Sequence, residues 1–100
     1  MATLYIAEYE RMGVSSRGIA VPVALGPPLA EQTVAIAGAS AQSSAFNAST
    51  KFIRVHTDAI CSVLVGSNPT AAATNQRMAA DATEYFGVSS GDKIAVITNT

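Results

Sequence analysis

Short stretches of alternating apolar and polar side chains run along the chain, separated by clusters of Gly, Pro, Ser and Asn. Residues 3–9 set Leu4, Ile6 and Glu8 on one side of a strand and Tyr5, Ala7 and Tyr9 on the other. Residues 12–18 read as a loop. Residues 19–25 read as a second strand, which Pro22 confines to an edge or a bulge because its nitrogen cannot donate to a ladder. Gly26, Pro27 and Pro28 then force a turn. A third strand is expected over 31–37. Residues 38–50 have no strong period and read as a loop, with one helical turn expected around Ala45, Phe46 and Asn47.

The pattern is clearest from residue 51 onward. Residues 51–56 place Ile53 and Val55 on one face and Phe52, Arg54 and His56 on the other. A turn at Thr57, Asp58 and Ala59 leads into a strand over 60–65, and the two are expected to pair as a hairpin. Gly66, Ser67, Asn68 and Pro69 end it. Residues 70–83 are small, lack an amphipathic stripe and read as a long loop, a form that is functional or mobile in most compact domains. Residues 84–88 and 93–97, joined by Ser89, Ser90, Gly91 and Asp92, are expected to form a second hairpin. Six to eight short strands predict one all-β domain over 1–100, a small antiparallel sandwich or barrel of jelly-roll-like form.

Composition strengthens the β reading and narrows the function. Val and Ile number 16 against 4 Leu, a β-branched bias that favours strands. The 49% hydrophobic fraction includes 19 Ala, so the large side chains suffice for a thin two-layer core. Only 13% of residues are charged and the net charge is −1, with no basic cluster of the kind that nucleic acid or an anionic membrane requires. No nucleic-acid or membrane partner is therefore expected. The first twenty residues have no apolar signal-peptide core, so synthesis in a cytoplasm is expected, with the chain soluble until it meets its partner. A surface of Ala, Ser and Thr suits close packing in an assembly as well as it suits an ordinary domain.

Little in the chain points to chemistry. The one concentration of titratable groups is His56, Asp58 and Cys61. On the predicted hairpin, His56 and Cys61 lie on opposite arms and no fourth ligand is apparent, so no metal or other cofactor is expected. Asp58 is expected to bond its own turn and Cys61 to fill the core. No Gly-rich phosphate loop and no paired carboxylates are evident among the seven acidic residues, and no enzymatic activity is expected. Candidate partner contacts are Tyr5, Tyr9, Tyr85 and Phe86, as interface anchors or as sheet-packing residues, with Asn68, Pro69, Arg77 and Met78 in the small-residue loop.

The second half of the chain carries a resemblance. Residues 52–63, then Val65, Gly66, Ser67, Asn68, Pro69, Thr70 and Ala71, then Met78, Ala79 and Ala80, then 84–88 and 93–97, resemble small structural proteins of tailed bacteriophage virions. The resemblance covers residues 52–99 and lies in the order of segments. It implies a capsid decoration or cement protein that binds the major capsid protein or neighbouring virion proteins, forms a homo-oligomer and resides in the virion. A neck or tail component, or a carbohydrate- or receptor-binding module of a tail appendage, is the alternative.

Overall fold

The computed structural model describes residues 2–14, 20–24 and 26–99; for 14 and 20–24 it describes the backbone only. Alternation becomes strand wherever one face can be buried. The elements are β1 (Thr3–Tyr9), β2 (Met12–Val14), β3 (Ala20–Ala24), β4 (Ala30–Ala35), β5 (Ala41–Gln42), β6 (Phe52–Thr57), β7 (Cys61–Gly66), β8 (Gln76–Met78), β9 (Thr83–Gly87) and β10 (Lys93–Thr98). Among the described residues there is no helix, and so none long and apolar enough to cross a membrane.

Eight strands form two four-stranded antiparallel sheets, in the orders β4-β1-β6-β9 and β5-β10-β7-β8. From β4 onward the chain passes back and forth between the sheets except at the β7–β8 hairpin, the wrapping of a jelly-roll-like sandwich, and β1 takes an interior place between β4 and β6. The inner faces bury Leu4, Ile6, Val34, Ile53, Val55, Val63, Met78, Ile94 and Val96 in one core. The β2–β3 ribbon pairs with neither sheet; it continues the β1–β4 hairpin beyond Tyr9. Both of its strands are edges, which accommodates Pro22, and its register shifts between Met12 and Val14. Met12–Val14 is thus a strand where a loop was expected, while the expected positions 15–19 and 25 lie outside the described residues.

Both expected hairpins are instead arches between the sheets. β6 pairs with β1 and β9, while β7 pairs with β10 and β8. The turns themselves fall where expected. The Thr57 hydroxyl donates to the Ala59 carbonyl at 2.6 Å, and the Asp92 carboxylate accepts from the Ser89 N–H at 3.1 Å, with Gly91 at a φ of 80°. What differs is the use of the turn: the arches give β6, β7 and β10 two ladder neighbours each, leave β9 at an edge, and face the buried sides across the core.

The two long loops are also more structured than expected. Residues 43–50 form no helical turn. They close one end of the sandwich, with Phe46 buried and its N–H donating to Asp92 at 2.8 Å. The anchor for this segment is Glu8, which points inward and is 2% exposed. Its carboxylate accepts from the Asn47 N–H at 2.7 Å, the Thr50 hydroxyl at 2.8 Å and the Gln32 amide at 3.3 Å. Gln32 in turn accepts from the Ser44 N–H at 2.8 Å. Residues 70–83 contain β8, which pairs with β7 and sends Met78 into the core.

Candidate functional site

The outer face of the first sheet carries two of the large hydrophobic side chains exposed among the described residues, Tyr5 and Tyr85. The register arranges them in rows. Thr33, Tyr5, His56 and Thr83 form one row, and Glu31, Ala7, Arg54 and Tyr85 the next. Tyr9, Phe52 and Gly87 complete it. Tyr5 is 45% exposed and Tyr85 56%. Tyr9 stacks on Phe52 with centroids 5.4 Å apart and planes 18° apart, and Tyr85 leans diagonally on Phe52 at 6.3 Å, where Gly87 leaves the space open. Tyr5 and His56 are 6.4 Å apart. Ala7, short among these neighbours, floors a depression of about 440 Å³ lined by Tyr5, Glu31, Thr33 and Arg54.

The outer face of the second sheet is largely covered by the chain itself, with Leu64 and Arg77 left exposed. Gln42 donates to the Asn68 side chain at 3.0 Å and to the Pro69 carbonyl at 2.6 Å, and the Ala71 N–H donates to the Ser40 hydroxyl at 2.8 Å. Ser62 donates to the Ala73 carbonyl at 3.2 Å, and Asn99 clamps both. Ser62 and Ala95, which point outward from this sheet, are consequently buried. Residues 67–75 therefore act as a cover over this sheet, which argues against a free contact loop there.

The expected contact residues fall into three groups. Tyr5, Tyr9 and Tyr85 share the open face. Asn68 and Pro69 belong to the cover, with Pro69 buried, and Arg77 is exposed beside it on β8. Met78 is 2% exposed in the core, and Phe86 points inward, half-buried against that core; neither is a surface anchor. Sequence reasoning did not nominate Phe52, Arg54 and His56, although the alternation over 51–56 put all three on one side.

At the Tyr5 end of the face, His56 meets Asp58 and Asp81, with donor atoms all within 4.8 Å of one another. The cluster differs from the one expected: Asp81 belongs to it and Cys61 does not. Asp81 is brought there by a left-handed turn (φ 61°), and its N–H donates to Thr57 at 2.8 Å. The Thr83 hydroxyl engages His56 Nδ1 at 2.9 Å and orients the ring. An imidazole with two carboxylates is a donor set that a cation such as Zn²⁺ accepts, with solvent completing its shell. Asp58 does not cap its own turn; Thr57 does, because its hydroxyl lies inside the bend.

Cys61 fills the core, as expected of a small apolar side chain. Burial pushes its thiol pKa up, and a 3.5 Å hydrogen bond to Thr57 opposes the shift. The thiol is expected to resist alkylation until the protein unfolds. The folded thiol holds its proton to higher pH than the unfolded one. Its contribution to stability is therefore complete below about pH 8.5 and is lost as pH rises through the folded pKa. Urea midpoints of wild type minus Cys61→Val should fall from pH 7 to pH 10; a flat difference refutes the assignment. No protein-family model, curated protein or solved structure matches the chain.

Proposed function

We propose that the chain is a non-catalytic structural protein of a tailed bacteriophage virion, a decoration (cement) protein that docks neighbouring virion subunits through the outer face of its first sheet. The observation that carries this reading is the contrast between the two sheets. One outer face is largely covered by the chain's own loop, which leaves Leu64 exposed, and the other presents Tyr5 and Tyr85 exposed, with Tyr9, Phe52 and Arg54 half-buried beside them. Tyrosine and arginine are the side chains that dominate protein–protein hot spots. The resemblance of residues 52–99 supplies the virion, and the jelly-roll-like wrapping is one that capsid domains share, although a fold alone does not give a function. Many copies in a symmetric shell would multiply one modest interface by avidity.

Quantitative mass spectrometry of virions from the phage that encodes this chain is expected to find it in repeated copies per capsid. A few copies per particle would replace decoration with a neck or tail role, and none would refute the virion reading. Tyr85→Ala is expected to weaken retention on particles about tenfold or more. The depression between Tyr5, Glu31 and Arg54 favours a second reading, a carbohydrate site in which a sugar ring stacks on Tyr5. A glycan array without hits excludes it.

A further inference from the structure

We propose that the outer face of the first sheet is the interface of an isologous dimer, in which a two-fold axis along β1 sets Glu31 of each copy against Arg54 of the other. The inference rests on the reading of this face as an assembly surface and names its occupant, a second copy of the chain. Ala7 sits at the centre of the row, with Glu31 directly beside it on β4 and Arg54 directly beside it on β6. Rotation about an axis running along β1, between two facing sheets, exchanges the β4 and β6 columns. Each Glu31 then lies opposite an Arg54, and Ala7 lies opposite Ala7. An axis running across the strands would set Glu31 against Glu31 and Arg54 against Arg54. The charge pattern selects the first arrangement.

Shape agrees with charge. The depression over Ala7 runs from Glu31 and Thr33 on β4 to Arg54 on β6, and the axis along β1 carries the second copy's Arg54 to its Glu31 side. Tyr5 and Tyr9, both on β1, meet their own copies along the axis, where aromatic pairs can stack. Tyr85, one strand beyond Arg54, reaches past the second copy's edge strand β4 and covers it. Three strands, β4, β1 and β6, overlap face to face over roughly 15 by 20 Å, a footprint smaller than that of a standard stable dimer. Association at micromolar rather than nanomolar concentration is expected.

Analytical ultracentrifugation of the full chain from about 1 to 500 μM tests the proposal. The wild type is expected to pass from monomer to dimer in that range. Glu31→Arg and Arg54→Glu are each expected to weaken the dimer by about tenfold or more, because each sets like charges together. The double variant, with both changes, is expected to return to within about threefold of wild type. Both residues lie on the outer surface, and circular dichroism of each variant checks that it folds. A wild type that stays monomeric, a dimer indifferent to either single reversal, or a double variant no better than the singles overturns the proposal. A monomer that is nevertheless abundant on capsids would overturn the dimer and leave the virion reading standing. A dimer obeying the charge cycle but absent from virions would do the reverse.

Discussion

Glu8→Ala is expected to lower the unfolding free energy by about 2–5 kcal/mol, because two donors lose their acceptor at about 1–3 kcal/mol each. The donors are the Asn47 N–H and the Thr50 hydroxyl, and Thr50 is itself buried. Gln32 loses one of its contacts as well. The loss is a large share of the roughly 5–15 kcal/mol that holds a domain of this size. It falls locally too: residues 43–50 are tied to β1 by this one side chain, so their amides should exchange faster than those of β6 or β10. Glu8→Gln keeps the volume and one acceptor oxygen and should cost about 1–2 kcal/mol. Urea unfolding checks the order. A Glu8→Ala variant within about 0.5 kcal/mol of wild type would show that Phe46 packing alone closes this end.

Met78→Ala and Arg77→Ala, neighbours in sequence, should behave oppositely. Met78 lies in the shared core opposite Cys61, and its truncation should cost about 2–4 kcal/mol through lost transfer energy and the cavity left behind. Arg77 stands exposed opposite Ser62, and its removal should change stability by no more than about 0.5 kcal/mol. Thermal melts separate the two cases. Equal effects would mean that β8 is not docked on β7. The pair also bears on function, since an exposed Met78 was the expectation for a contact loop and a buried one turns that segment into part of the fold.

The outward faces of the two sheets are chemically alike in sequence and differ in fate. Ser62, Leu64, Ala95 and Ile97 form an outer surface as apolar as that around Tyr5 and Ala7. Residues 67–75 cross it, and four side chains (Gln42, Ser40, Ser62 and Asn99) hold them there. No segment of the described chain does the same for Tyr5, Tyr9 and Tyr85. Nothing in the local pattern distinguishes a loop that crosses a sheet from one that hangs free. Apart from the bond of Ser62 to Ala73, the bonds that hold it join residues 26 to 37 positions apart, as in Gln42 to Asn68 and Asn99 to Ser62.

The His56, Asp58 and Asp81 cluster illustrates the same limit. His56 and Asp58 are near in sequence, but the third member comes from position 81, just before β9 where it pairs with β6. Cys61 was the better candidate by spacing and is directed into the core instead. An Asp in a left-handed turn gives no local signal, since Asp is common in turns generally.

The sequence by itself determined that the chain is β and which side chains share a face. Leu4, Ile6, Glu8, Ile53 and Val55 fell on inner sides, and Tyr5, Tyr9, Phe52, Arg54 and His56 on outer ones, as alternation required. That property is local: a strand's period of two is set by its own backbone, so neighbours in the sheet need not be known. Only the tertiary structure decided which strands pair, that the turns at 57–60 and 89–92 arch between sheets, and which outer face stays open. A hairpin and an arch carry the same alternation. The choice between them depends on ladder hydrogen bonds and core contacts from distant segments, whose energies exist only once the chain has folded.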